Sequence, residues 1–364
     1  MTTEEPFKPL QAPLTDIDLK KPRAYPDQNI LSRLAFGELP VLQKLIDDLG
    51  IKLCLSYTHF DEISQIEILE KQELIYQYIL KNEIYYLEQH IGTENAGIAV
   101  INESNLTAFI KKPSNDPIID SSVALMQQFA HKSFGGQKSK THIEIVEEIK
   151  NNLTHTLNTE AKQIFDDFIS ELQKHSFFSN TDSKVSDEIW NVLSMKKSEL
   201  SKITQPNVIK NIWELVKNDV QKTDPNMTLE QFIGLSFDPN YTLQNKISIL
   251  MYWLNIIGYW SDKKLDKENK YTASSRDVQH ATHASFTGLV ISQDDRFCKK
   301  LAACFEYLNI KTQILQRLDI HSTIEKYELI WPLDSFSSKN SLRNNYDFSD
   351  AIKNPYAKSS KPKS

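Results

Sequence analysis

Two consecutive segments decide how this chain is read: Asp277-Val278-Gln279-His280-Ala281, and then Leu289-Val290-Ile291-Ser292-Gln293-Asp294. The second is a short, apolar, β-branched run with an acid just beyond it, the pattern of a strand buried on both faces of a parallel sheet. Asp277 is expected at the start of a short helix that leads into this strand. Near the other end of the chain, Ala24-Tyr25-Pro26 predicts a short strand, and Asp27-Gln28-Asn29-Ile30-Leu31 sets an acid at the start of the element that follows. Ligands of open α/β sheets bind beyond the carboxyl ends of the strands. Asp27 and Asp294 are therefore expected to emerge at one sheet edge.

Working outward, Asn29–Phe36 and Pro40–Leu49 predict helices, the second with proline at a favourable first-turn position. Lys52–Ser56 predicts a strand. From Thr58 to about Ile91 the apolar spacing fits a helical period better than alternation, and Glu62 falls one turn into this stretch. A loop-rich passage, Gly92–Pro117, holds one candidate strand, Ile98–Ile101. From about Ser121 to Ile257 the pattern is helical, with breaks at Gly135-Gly136, Gln205-Pro206, Asp224-Pro225 and Asp238-Pro239. Trp190, Trp213, Trp253 and Trp260 are expected to supply buried area to this block. The α/β pattern then resumes: a helix from Ser275, strand Leu289–Ser292, a helix over Asp294–Leu308 and strand Lys311–Leu315. The expected organisation is an extended arm over 1–22, the first half of an α/β domain over 23–115, a large all-helical insertion over 116–262, the second half over 263–335 and a polar tail over 336–364.

The chain has 364 residues, 40% of them hydrophobic, enough for one large domain or two smaller ones, and a formal charge of -6. A globally basic nucleic-acid coat is excluded by that balance, while clustered acids with a local basic rim are not. Three cysteines form no paired framework, which points to a reducing cytoplasm. No apolar run reaches the roughly 18 residues of a membrane span, and the acidic start lacks a signal-peptide core.

Asp27, Glu62, Asp277 and Asp294 form the candidate catalytic and metal-binding set. Four convergent carboxylates repel one another and raise each other's pKa. Mg²⁺ or Mn²⁺, hard ions that take oxygen ligands, removes that conflict. Two such ions about 3.5–4 Å apart can activate water and stabilise the leaving oxygen of a phosphodiester. Each acid taken singly also has a structural explanation. Asp27, Asp277 and Asp294 suit helix N-caps or first turns, and Glu62 suits a solvated helix face. Arg33, Arg276 and Arg296 flank the acids and, with Ser292, are candidate substrate-binding residues; Lys299 and Lys300 also lie nearby. Asp277, His280 and His283 share helical spacing, but no further histidine pair or cysteine closes a zinc site. Gly135-Gly136-Gln137-Lys138 lacks phosphate-loop spacing and is read as a turn between helices. Tyr57, His59 and Tyr271 are candidates for stacking on bases, although aromatics at such positions are commonly core.

The segments Asp27-Gln28-Asn29-Ile30-Leu31, Ser56-Tyr57-Thr58-His59-Phe60-Asp61-Glu62-Ile63, Arg276-Asp277-Val278-Gln279-His280-Ala281 and Val290-Ile291-Ser292-Gln293-Asp294-Asp295-Arg296-Phe297 together resemble the PIN-domain family. The resemblance covers about residues 22–90 and 265–320. It implies a three-layer α/β/α sandwich with a central parallel sheet, here interrupted by the helical insertion. It also implies a Mg²⁺- or Mn²⁺-dependent ribonuclease in which Asp27, Glu62, Asp277 and Asp294 are the acidic set and Ser292 shapes the loop of the last acid. Gln28 departs from the threonine common at its position, and the insertion exceeds that of compact PIN toxins, as in enlarged bacterial PIN-like proteins. The expected partner is single-stranded nucleic acid, RNA ahead of DNA, with a regulatory protein or a second copy as further partners and no membrane. Two alternatives stand beside it: a non-catalytic PIN-like scaffold that binds a protein through the helical insertion, and a DNA-cleaving defence effector.

Overall fold

The computed structural model describes residues 22–89, 96–103, 106, 127–154, 159–193, 197–236, 241–318 and 325–331. The chain is α/β, with a seven-stranded, mostly parallel sheet. It divides into two compact units. One comprises Met1–Lys112, Asn240–Ile247 and Gln279–Ser364; the other comprises Pro113–Pro239 and Ser248–Val278. The arm over 1–21 and the tail beyond 331 lie outside the described residues, as does the break at Asp238-Pro239.

The sheet belongs to the first unit. Strand β1 (Arg23–Pro26) leads into α1 (Gln28–Ala35) and α2 (Pro40–Leu49), and β2 (Lys52–Ser56) into α3 (Tyr57–Ser64) and α4 (Leu69–Lys81). Strands β3 (Tyr85–Gln89) and β4 (Ala96–Val100) follow. The sheet order is β4-β3-β2-β1-β5-β6-β7. β1 is parallel to both β2 and β5, with Ala24 opposite Leu53 on one side and Leu289 on the other. The outermost pairs, β3 with β4 and β6 with β7, are antiparallel. Ala24, Leu53, Leu55, Leu289, Ile291 and Leu315 from the strands pack with Ile30, Leu31, Phe60, Ile63, Ile75 and Ile79 from the helices in one buried cluster. Burial of that kind contributes about 25 cal/mol per Å² of apolar area.

The helical stretch expected over Thr58–Ile91 is three elements. Asn82 and Glu83, the latter at φ +48°, end α4. Tyr85 and Leu87 are then buried while Tyr86 and Glu88 are half-buried, so the period drops to 2 and β3 pairs with β2. Strand β7 (Lys326–Trp331) was not foreseen, because its alternation is confined to Lys326-Tyr327-Glu328-Leu329 and only Ile330 is buried.

The second unit is helical: α5 (His142–Leu153), α6 (Thr159–Gln173), α7 (Val185–Val192), α8 (Lys197–Leu200), α9 (Val208–Thr223), α10 (Leu229–Ile233) and the part of α11 (Leu243–Ile257) from Ser248 onward. Trp253 is buried against Phe232, which also contacts Trp213. Trp190, Trp213 and Trp260 are only half-buried. Asp224-Pro225 does end α9, Gln205-Pro206 does lie just ahead of it, and Gly135, at φ +87°, does make a turn.

Helix α12 (Glu268–Ala284) begins well before Ser275, and this corrects the placing of Asp277 at a helix start: it is an internal residue of α12. The serines that read as a boundary are held inside the helix by partners. Asn255 Nδ2 donates to Ser274 Oγ at 2.9 Å, Ser274 Oγ donates to Asp262 Oδ2 at 2.7 Å, and Tyr252 donates to Ser275 Oγ at 3.1 Å. Beyond α12 come β5 (Leu289–Ser292), α13 (Asp295–Tyr307), β6 (Gln313–Leu318) and β7. Among the described residues no helix is long and apolar enough to cross a membrane.

Candidate active site at the sheet edge

The chain direction from β1 diverges to β2 on one side and β5 on the other, so the carboxyl ends of β1 and β5 form the switch point of the sheet. Asp27 is the first residue past β1. Its backbone N–H donates to Ile291 O at 2.8 Å, which ties the end of β1 to β5. Its carboxylate caps α1, accepting from Ile30 N at 2.8 Å through Oδ1. Oδ2 accepts from the Ser292 hydroxyl and, at 3.3 Å, from Gln293 N. Ser292 Oγ in turn accepts from Asp294 N at 3.0 Å. One fully buried hydroxyl therefore links the two aspartates through the side chain of one and the backbone of the other. Burial pushes the Asp27 carboxyl above its ordinary value, and the bonds from Ser292 and Ile30 oppose that rise.

Asp294 is exposed, and its carboxylate is the N-cap of α13, accepting from Arg296 N at 2.8 Å and Phe297 N at 3.0 Å. Glu62 on α3 points to α12, where its Oε2 meets His280 Nε2 at 2.9 Å. Asp277 lies three residues before His280, half-buried. It belongs to the other compact unit, whereas Asp27, Glu62 and Asp294 belong to the sheet unit. Among the described residues, no group of three or more His, Cys, Asp or Glu side chains is assembled to hold a metal ion. What the sheet edge brings together is the pair Asp27 and Asp294.

Of the candidate substrate residues, Ser292 is buried and its hydroxyl proton goes to Asp27. Arg33, in the last turn of α1, donates through Nη1 to Gln293 Oε1 at 3.1 Å and pairs through Nε with Glu38 at 2.9 Å. Arg296 is half-buried on the first turn of α13, and Arg276 is half-buried on α12.

Behind the edge lies a buried polar chain that the sequence did not disclose. His59 Nδ1 accepts from Ser56 N at 3.1 Å, which places its proton on Nε2, and Nε2 donates to Pro26 O at 2.8 Å. The imidazole thus braces the carbonyl immediately before Asp27. Burial holds His59 well below the ordinary histidine value, so it is neutral. Tyr25 Oη lies 2.8 Å from both Ser56 Oγ and His280 Nδ1. With the Nε2 proton of His280 given to Glu62, its Nδ1 accepts from Tyr25. His283 donates through Nδ1 to Gln279 O at 2.8 Å, and its ring stacks on Tyr25. The histidines of α12 are thus engaged with the sheet unit's own side chains and backbone. His59 is buried in the same cluster, and Tyr271 is buried against His131. The only hint of this chain in the sequence was histidine at 59, 280 and 283 beside strand ends, a pattern shared by many cores.

No protein-family model, curated protein or solved structure shows significant similarity to this chain.

Proposed function

We propose that this protein is a PIN-like, divalent-metal-dependent nuclease that cleaves single-stranded nucleic acid, RNA in preference to DNA, in the cytoplasm. The observation that carries the reading is the meeting of Asp27 and Asp294 at the switch point of the sheet, joined through Ser292. In this reading the sheet with its flanking helices is a three-layer sandwich and the helical unit is an insertion that binds a regulator.

The donor chemistry at the edge fits a hard cation. Asp27 is a buried carboxylate whose charge is opposed by desolvation. Beside it in sequence, Gln28 Oε1 is buried with no hydrogen-bond partner among the described residues. Asp294, joined to Asp27 through Ser292, is exposed. Asp27, Asp294 and the Gln28 carbonyl would hold Mg²⁺ or Mn²⁺, with Glu62 as a further acid of the sheet unit. When bound, such an ion supplies a nucleophilic water near neutral pH and polarises a phosphoryl oxygen. The chain's own residues orient the site. Ser292 and Ile30 fix the Asp27 carboxylate, His59 fixes the carbonyl that precedes it, and the α13 amides hold Asp294 until a stronger partner arrives.

The test is cleavage of end-labelled single-stranded RNA and DNA by the full chain, with Mn²⁺ and then with EDTA. Asp27→Asn and Asp294→Asn are expected to lower the rate at least ~100-fold. Undiminished cleavage by both variants would remove the assignment.

A second reading, a non-catalytic PIN-like scaffold, is favoured by one observation. Both aspartate carboxylates are already used as helix caps, and Glu62 is already bonded to His280. Calorimetric titration with Mn²⁺ separates the two readings. Binding that disappears in Asp294→Asn supports the nuclease, and no binding to the parent chain supports the scaffold.

A further inference from the structure

The two carboxylate oxygens of Glu62 have different surroundings. Oε2 accepts from His280 Nε2 at 2.9 Å, and Oε1 carries no hydrogen bond among the described residues. The Glu62 side chain keeps 22% of its surface exposed, whereas His280 is buried. The imidazole is itself held from behind. Tyr25 Oη stands 2.8 Å from His280 Nδ1 and 2.8 Å from Ser56 Oγ, and both Tyr25 and Ser56 are buried. With Nε2 donating to Glu62, Tyr25 donates to Nδ1 and Ser56 donates to Tyr25. Ser56, Tyr25, His280 and Glu62 thus form one run of donors that ends on the carboxylate. The Tyr25 ring is wedged among three imidazoles, edge-on to His59 at 4.8 Å and to His280 at 5.7 Å, and stacked on His283 at 6.4 Å. A second bond, from Thr58 Oγ1 to Gln279 Oε1 at 3.2 Å, ties α3 to the residue before His280.

This run starts at the same sheet edge as Asp27. Ser56 ends β2, the parallel neighbour of β1, and the register that sets Arg23 opposite Lys52 brings Ser56 level with Asp27 when continued along both strands. The Ser56 backbone also holds His59, which braces the Pro26 carbonyl. Burial raises the Asp27 carboxyl, and His280 is among the groups that draw it down, so one imidazole acts on both acids. A free glutamate side chain has several rotatable bonds to freeze on binding a ligand, and an anchored oxygen removes much of that cost beforehand. Outer bonds of this kind orient ligating carboxylates and set their strength. We infer that His280 and Tyr25 are positioning residues for Glu62, which anchor Oε2 and leave Oε1 as the oxygen presented to the divalent cation of the proposed site. This deepens the nuclease reading and rests on it for the cation.

Cation binding without chemistry tests it. Mn²⁺ is titrated by calorimetry into the full chain, as the parent and as the variants His280→Leu, His280→Gln, Tyr25→Phe, Glu62→Gln and the double variant Glu62→Gln with His280→Leu. His280→Leu is expected to weaken Mn²⁺ binding at least ~10-fold. His280→Gln, which keeps an N–H donor for Glu62, should recover most of that loss, and Tyr25→Phe should show a smaller loss in the same direction. In the Glu62→Gln background His280→Leu should cost nothing further, because the imidazole acts only through that carboxylate. Losses that add in the double variant, or an affinity unmoved by His280→Leu in a chain with the parent's circular dichroism, overturn the positioning role. Tyr25→Phe deletes a single atom, so it decides the matter if His280→Leu fails to fold. A parent chain that binds no Mn²⁺ removes the nuclease reading and this role with it. A parent whose Mn²⁺ binding is lost in Asp294→Asn, yet unchanged in the His280 and Tyr25 variants, removes the positioning role alone.

Discussion

Ser292 makes two bonds with one hydroxyl, giving its proton to Asp27 and receiving one from the Asp294 backbone. Its removal leaves a buried carboxylate oxygen short of a donor, which costs roughly 1–3 kcal/mol. Ser292→Ala is expected to lower the thermal midpoint. Because the lost bond favoured the ionised form, the acid limb of any rate profile governed by Asp27 should also move to higher pH; an unmoved limb would remove Asp27 from that role. The linkage sign for Asp27 itself follows from its raised carboxyl. The folded chain holds that proton more tightly than the unfolded chain. Its contribution to stability is therefore full below the ordinary value of 3.8 and is lost as pH rises through the raised value. Asp27→Asn, which can still cap α1, should thus be more stable than the parent at pH 7.5, with the gap closing as pH falls toward 4. Thermal melts at both ends of that range check it. At this scale the sequence was readable where an acid directly followed an apolar strand, as at Asp27 and Asp294. It was silent about the direction in which Glu62 turns, because a lone acid in a helix says nothing of what it faces.

Helix α2 shows how an element can be completed from far along the chain. Leu39 gives it no side-chain cap, but Glu325 accepts from Val41 N at 2.7 Å and Leu42 N at 3.1 Å, with Tyr327 donating to the same carboxylate at 2.5 Å. Glu325→Gln should weaken this end of the helix by about 1 kcal/mol. Amide exchange at Val41 and Leu42 would then speed up about fivefold, and unaltered exchange would show that the carboxylate contributes nothing there. Buried histidines set a second element-level response. Burial holds His283, on α12, and His142, at the start of α5, down to about 4, from an ordinary value of 6.5. A base depressed in the folded state contributes fully above 6.5 and loses that contribution as pH falls toward about 4. Each buried histidine adds a slope of up to roughly 1.4 kcal/mol per pH unit in that window. The melting temperature should fall steeply across it, and His142→Asn should flatten the fall. The strand and helix signals of α2, β2, β5 and α13 were plain in the sequence because burial and period agree there. β3 was hidden because Tyr85 and Leu87 continue, by chance, the apolar spacing of the helix ahead of them, and the early start of α12 was hidden because its serines are satisfied by residues of another helix.

At the scale of the whole chain, the split of the α/β layer could be read from where strand-like runs stop and resume, while the assignment of α11 and α12 across two compact units could not. Periodicity sees a helix and is blind to which neighbours each half of it meets. The centre of the sheet joins β1, ending at Pro26, to β5, beginning at Leu289. This has a consequence for how the protein is made. A ribosome releases β1 well before β5, so the nascent chain must carry an unpaired central edge through synthesis of everything between them. Unpaired strand edges recruit other strands. The helical unit, built from local contacts that form quickly, is complete before the sheet can close. Biogenesis of this protein therefore places an aggregation-exposed interval on the ribosome, and brings the proposed catalytic pair together only once β5 has emerged.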